Sequence, residues 1–515
     1  MKLLFALLFC IVTLPSLSQK DISISDKRLK DLDSAFARVL KEWHAAGFAV
    51  AVVEKNRVIY AKGFGYRDYE NKIPITPITL FSIGSCTKAF TSALLGMLRE
   101  EGKIDFDKPV RYYLPGLRFY NDNMNVRITL RDMMCHRTGL PRHDAAWYYF
   151  YTSSRDTLLQ RIQYQEPTAD VHEKWQYNNF MFMAQGAVTE KLTGKSWEEN
   201  IREKIFQPLD MQHSTTDFNE WIHSKDVAIG YNLKHDSLVH RDNYREFAAL
   251  NPAGGINSCV SDMANWVITW INGGRFGGKT IIPANYITEA ISSQMVITGA
   301  LPTKAKPDIF LSNYGLGWFL GAYRSHYRVM HDGLINGFTS TTCFFPSDSL
   351  VIIVRCNQTS SSVPAVVRNL IADKLLGLPY FDWQTDLKTT ADKASAAANE
   401  AKKNTGIHRV LNTLPSHKLH EYEGIFSNKG YGNMQVELDH DSLFLKMGKT
   451  TIWLKHFHYD IFESFEITPG EGIDTGDDGK PHFEFQTGDD GNIESVSVQW
   501  EPALPPIIFR KVNSK

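Results

Sequence analysis

The chain has 515 residues, of which 43% are hydrophobic and 22% charged, an ordinary globular composition with room for two or three domains. Its formal net charge of -1 provides no global positive field, which argues against nucleic acid or an anionic membrane surface as a partner. Beyond the first residues, no segment is long and apolar enough to span a bilayer.

Lys2, the apolar run Leu3 to Leu14 and Pro15-Ser16-Leu17-Ser18 have the form of a secretory signal over residues 1–18, cut near Gln19, and predict a periplasmic or secreted protein. Cys10 sits in that run behind bulky Phe9, unlike a lipoprotein anchor. Leu29, Leu32, Phe36, Val39, Leu40 and Trp43 then recur at helical spacing behind a Ser25 cap. Phe48 to Val53 and Val58 to Phe64 flank Glu54-Lys55-Asn56-Arg57 as a hairpin.

The next stretch, Phe81-Ser82-Ile83-Gly84-Ser85-Cys86-Thr87-Lys88, opens a nearly uncharged run that predicts a buried helix of about four or five turns beginning near Ser85. Residues three apart share a helix face, so Lys88 can reach back to the Ser85 hydroxyl. Unpaired N–H groups of the first turn and the helix dipole make the place electropositive. A lysine kept neutral there would accept the serine proton, which is how a weakly acidic hydroxyl becomes a nucleophile.

Further on, His136 in a short helix between Ile128 and Leu140 reads as a structural group. The aromatic cluster at residues 145 to 151 reads as core packing, or else as a lip over the site that favours apolar or ring-bearing substrates. Gln176-Tyr177-Asn178-Asn179 is polar and precedes a helix beginning near Phe180. From it a hydroxyl (Tyr177) and an amide (Asn179) can face a cleft. Asn251 to Asp262 forms a Gly-rich turn and a helix capped near Ser261, with Trp266 and Trp270 inward.

Tyr327 to Met330 reads as a strand leading into His331-Asp332-Gly333-Leu334, where Gly333 permits close backbone approach. Phe338 to Phe345 and Leu350 to Arg355 form a hairpin whose count sets Cys343 opposite Ile352, against a disulfide from Cys343 to Cys356. The five cysteines after Cys10 show no metal spacing, and His456-Phe457-His458 lacks a completing ligand, so no metal and no cofactor is expected. Residues 381–417 form an Ala/Lys-rich linker. Residues 418–515 alternate as a small antiparallel sheet or barrel without a convergent catalytic set, which predicts help with assembly or the cleft entrance in place of chemistry.

Ser85-Cys-Thr-Lys88, Tyr177-Asn-Asn179 and His331-Asp-Gly333, in that order, resemble the three motifs of class C β-lactamases and penicillin-binding-protein-like serine hydrolases. Ile128 to Leu140 and Pro252 to Asp262 also look like that family, and residues 418–515 are similar to a lipocalin-like appended domain. The resemblance implies an α/β, β-lactamase/transpeptidase-like fold over residues 19–380: an antiparallel sheet flanked by helices beside an all-helical region, followed by a small all-β domain. It implies Ser85 as acylated nucleophile, Lys88 as its base, Tyr177 as proton relay and Asn179 as substrate-orienting amide. The N–H groups of Ser85 and Leu334 would form the oxyanion hole, with His331 and Gly333 lining the substrate.

Such lactamases carry Lys-Thr-Gly at the third motif. His331 in place of that lysine points to the family's esterases, D-aminopeptidases and acyltransferases. The expected function is therefore an exported serine hydrolase acting on small-molecule or peptide esters or amides, with an alcohol as an alternative acyl acceptor. A β-lactamase or D-peptidase is the second reading, and a non-catalytic binding protein the third. Oligomeric state is not legible.

Overall fold

The run Gly47–Glu54 is apolar at nearly every position, which suits a strand covered on both faces, and it sits in the middle of a ten-stranded antiparallel sheet. From one edge the strands run Ile24–Ser25, Arg57–Asp68, Gly47–Glu54, Leu350–Cys356, Phe338–Phe345, His326–Ile335, Phe319–Tyr323, Ser312–Tyr314 and Met295–Val296. The tenth, Ile73–Pro74, pairs with Arg57–Asp68. The computed structural model describes residues 24–234, 237–240, 246–297, 301–304, 306–405, 409–468, 472–473, 481–501 and 503–512; residues 1–18, where a secretory signal is expected, lie outside them.

Period-two alternation divides the sheet between two cores. Phe48, Val50 and Val52 pack with Phe36 and Val39 of the helix Leu32–Glu42 and with Val363, Val367 and Ile371 of the helix Val363–Leu375. Ala49, Ala51 and Val53 face the other way, into a core shared with Phe90, Trp266 and Trp270, from the helices Lys88–Glu100 and Val260–Ile271. The helix Asn179–Thr193 runs against Lys88–Glu100 and is buried from Phe180 to Ala184.

The second hairpin pairs Cys343 with Ile352, as the count predicts, and all five described cysteines are free. Two caps differ from expectation. Ser25 pairs with Tyr60 in the sheet, and the Asp26 carboxylate accepts from the Arg28 N–H to start a short 3-10 turn before Leu32. Likewise Cys259 Sγ, not Ser261, accepts from the Asp262 N–H, because the helix begins at Val260 and Ser261 lies inside its first turn, its hydroxyl donating to the Pro77 carbonyl. The third-motif strand also runs on past Met330 to Ile335, since Asp332, Gly333 and Leu334 pair with Thr341, Ser340 and Thr339.

Eight strands of the C-terminal domain, from Gly424–Asn428 to Ile507–Lys511, close into a barrel: the first pairs with the last, and Thr450–His458 with Ile461–Thr468. A barrel of eight strands is just wide enough for side chains to fill, and Met434, Val436, Leu445, Phe462, Phe485 and Phe509 are buried in it. The linker is a helix, Trp383–Thr405, with Trp383 buried and its indole N–H donating to Asp373. At the domain boundary Phe150 stacks on Phe509 at 5.4 Å and Tyr149 on Trp500 at 5.3 Å.

Candidate active site

Gly84 turns the chain with φ 51°, in the left-handed region that glycine enters at least cost. A single 3-10 turn, Gly84–Thr87, follows and leads directly into the helix Lys88–Glu100. Ser85 is thereby half-buried at a helix start, with Lys88 one turn on and wholly buried. The Lys88 ammonium nitrogen lies 3.0 Å from Ser85 Oγ, 2.7 Å from Asn179 Oδ1 and 2.8 Å from the Ala253 carbonyl. None of these contacts is an ion pair. Burial, with the charge of Arg142 adding to it, holds the Lys88 pKa well below the usual lysine value.

Tyr177 stands on the other side of the serine. Burial pushes its pKa up from the ordinary tyrosine value, and the nearby Ser85 hydroxyl offsets part of that rise. Lys88 Nζ sits 4.7 Å from the centre of its ring. The Tyr177 loop is held from behind by His136, whose Nδ1 accepts from the Asn178 N–H and whose ring packs 4.3 Å from that of Tyr177. His136 is fully buried and kept neutral by desolvation, which agrees with its structural reading. Asn178 caps the following helix by accepting from the Met181 N–H, so Asn179 begins that helix facing Lys88.

The strand His326–Ile335 closes the remaining side. A Cβ on Gly333 would lie 1.9 Å from the Ile83 carbonyl oxygen and 3.3 Å from the Ser85 nitrogen, so only glycine lets strand and helix start meet. A Cβ built on Gly84 comes 3.0 Å from the Leu334 nitrogen. The amides of Ser85 and Leu334 thus border one small space, and Cys86 Sγ, donating to the His331 carbonyl at 3.1 Å, fixes the two elements together.

His331 itself is 1% exposed. Its Nε2 is 2.9 Å from the Tyr314 hydroxyl and its Nδ1 2.6 Å from the Asp332 carbonyl, among the rings of Phe319 and Tyr314. Burial, reinforced by the charge of Lys88, pushes its pKa down to about 3. A neutral imidazole with both nitrogens occupied is placed to support Tyr177 and the strand, and it offers a substrate carboxylate no charge.

Beside these groups opens a cavity of about 540 Å³ lined by Trp147, Tyr148, Phe218, Trp221, Phe247, Leu250 and the 56% exposed Leu334. Of the aromatic cluster, Trp147 and Tyr148 line the site while Tyr149 and Phe150 pack on the barrel, so both readings of that segment hold in part. Glu198, Asp217 and Glu246 also line the cavity, and no described lysine, arginine or histidine does.

Two contributors carry no sequence motif. The Ala253 carbonyl meets Lys88 from within the Gly-rich turn, and the Asp144 carboxylate accepts from Asn179 Nδ2 at 2.9 Å. The signal available for the first was the turn itself, which placed small residues where a backbone must come close. A lone aspartate following Arg142 and His143 gave none.

The beta-lactamase family profile matches residues 32–376, and a domain of unknown function (DUF3471) matches residues 408–509. An unguisins hydrolase (ungD') of Aspergillus campestris is 30% identical over 497 residues, covering 92% of this chain and 90% of that one. Protein flp of Staphylococcus aureus is 24% identical over 66% of this chain and 65% of its own. Among solved structures, the octameric penicillin-binding protein homologue from Pyrococcus abyssi covers 93% of this chain and 98% of its own, with a TM-score of 0.61 at 22% identity. A D-stereospecific amidohydrolase from Streptomyces covers 67% of this chain and 99% of its own, with a TM-score of 0.55 at 20% identity. With the profile covering residues 32–376, most of its length, the chain belongs to the beta-lactamase family.

Proposed function

We propose that the protein is an exported serine hydrolase that forms an acyl-enzyme on Ser85 with amide or ester substrates. The observation that carries this is the buried Lys88 amine, short of any ion pair and 3.0 Å from Ser85 Oγ. A neutral amine accepts the hydroxyl proton as Oγ attacks the substrate carbonyl carbon. The oxyanion then forms in the space bordered by the Ser85 and Leu334 amides, where fixed N–H dipoles act without reorganising. Tyr177 holds its proton at neutral pH and delivers it to the leaving amine or alcohol as the carbon–leaving-group bond breaks, being recharged from Lys88. Asn179 orients the substrate. Water, or an alcohol, attacks the acyl-enzyme by the reverse path and releases an acid or a new ester with Ser85 regenerated.

The cavity supports a preference for apolar or ring-bearing acyl and leaving groups. Its carboxylates disfavour the carboxylate of a penicillin, and buried His331 supplies no compensating cation. The second reading, a D-peptide or β-lactam hydrolase, draws support from relatives described as hydrolases of unguisins and of D-amides. A purely binding role accords poorly with the retained proton-handling groups.

Ser85→Ala is expected to abolish both turnover and intact-mass labelling by a fluorophosphonate. Label that survives in the variant would remove Ser85 from the mechanism. A panel of aryl esters, D-amino-acid amides and penicillins, each with and without an alcohol acceptor, then sorts the substrate classes.

A further inference from the structure

A hydrogen-bonded chain runs from the barrel to the nucleophile. Glu501 Oε1 accepts from the Asp144 N–H at 2.7 Å, across 357 residues of sequence. The Asp144 carboxylate accepts from Trp147 Nε1 at 2.8 Å and from Asn179 Nδ2 at 2.9 Å through one oxygen, and from Arg142 Nε at 2.6 Å through the other. Asn179 Oδ1 accepts from Lys88 at 2.7 Å, and Lys88 reaches Ser85. Because Asn179 Nδ2 is bound to Asp144, the amide must present its oxygen to Lys88 and cannot flip.

We infer that Glu501 of the C-terminal barrel is a positioning residue of the active site, acting through Asp144 and Asn179 to hold the Lys88 amine against Ser85. This rests on the serine-hydrolase reading above. Asp144 lies in the loop between Pro141 and the short helix Ala145–Tyr148. Its backbone is anchored from outside its own domain, while Tyr149 and Phe150, just beyond, stack on Trp500 and Phe509 of the barrel. Glu501 is therefore placed to set where the Asp144 carboxylate points, and Trp147, bound to the same oxygen, is a wall of the cavity. The barrel thus bears on both the amine and the substrate pocket without lending a group to the chemistry.

The test follows the rate of fluorophosphonate labelling at Ser85 by intact mass, in the full chain, with thermal unfolding measured alongside. Glu501→Ala removes the acceptor and Glu501→Asp withdraws it by one methylene, whereas Glu501→Gln keeps a carbonyl oxygen in reach of the Asp144 N–H. Labelling is expected to slow by about 10- to 100-fold in the first two, the scale of a small misplacement of a reacting group. It should stay within about threefold of wild type in Glu501→Gln. Tyr431→Phe removes the neighbouring interdomain bond to His143 and leaves Asp144 untouched, so it too should stay within about threefold.

Wild-type labelling in Glu501→Ala and Glu501→Asp would overturn the inference. So would equal slowing in Glu501→Gln or Tyr431→Phe, which would indicate a generally loosened interface. Should Glu501→Ala fail to fold, Glu501→Asp against Glu501→Gln decides alone. Absence of label on wild-type Ser85 would instead sink the serine-hydrolase reading, a result distinct from labelling that ignores Glu501.

Discussion

The N-terminal domain encloses an amine, imidazoles, amides, carboxylates and guanidinium groups, among them Lys88, His136, His331, Asn179, Asp132 and Arg355, whereas the polar groups enclosed by the barrel, among its described residues, are hydroxyls such as Thr450, Ser464, Ser495 and Tyr422. Ionisable groups out of water are costly unless neutralised or bonded. The first domain keeps several of them close to one serine, each with its own partner and each shifted towards neutrality. Among its described residues the barrel encloses no lysine, arginine, histidine or carboxylate, and its interior reads as packing. Polar burial therefore separates the part that reacts from the part that supports, and the support acts from the barrel's rim, where Glu501 and Trp500 lie.

This contrast can be tested from its apolar side first. Phe509→Ala, in the barrel core and against Phe150, is expected to cost about 3–5 kcal/mol of stability, read by urea unfolding. A loss below about 1 kcal/mol would mean the barrel contributes little as a packed body.

The polar side is tested by Lys88→Met. Removing the base should lower turnover by about 10² or more, yet raise the unfolding temperature at pH 7. The sign follows from linkage: an amine whose pKa is depressed by folding sheds a proton to fold, so stability grows as pH rises from the folded towards the unfolded value, and neutral pH bears the cost. A lower unfolding temperature in this variant would show that a charged ammonium is the stabilised form.

The smallest effect is graded with pH. His331, at about 3 in the folded protein and near 6.5 when unfolded, stays neutral on folding while the unfolded chain takes up a proton. Stability should fall as pH drops from 6.5 towards 3, approaching about 1.4 kcal/mol per pH unit for the one group. His331→Gln, which keeps a donor and an acceptor, should flatten that slope. An unchanged slope would assign acid sensitivity elsewhere, with His136, held well below the ordinary histidine value by burial, and His143, lowered to about 4 by burial, the next candidates.

Much of this arrangement was legible in the residues because it is local. Ser85 and Lys88 are one helical turn apart, Gly333 marks a close approach by lacking a side chain, and the count across the Pro346 turn set Cys343 against Ile352. The caps at Ser25 and Ser261 were misplaced by a residue or two, since neighbouring Asp26 and Cys259 also offer acceptors and the actual helix start decides between them. His331 was expected at the substrate. Strand alternation turns it, with Gly333, towards the helix start, and the cover that Tyr314 gives it comes from another strand, which the residues around His331 do not signal. The link from Asp144 to Glu501 was invisible, because one aspartate and one glutamate 357 positions apart form no pattern until both domains are folded.

Gly333 pressed against the Ile83 carbonyl has one further consequence. It brings two main chains together, so in the proposed mechanism the developing negative charge is met by peptide N–H groups and by no side chain. Such a donor survives every exchange of side chain except that to proline, which lacks the N–H but also locks φ and disrupts the strand: Leu334 can otherwise change in a saturation library while its amide stays in place, and the library will score those exchanges as tolerated. Replacing that amide with an ester, by introducing the corresponding α-hydroxy acid at position 334, deletes the donor without the ring that proline would bring.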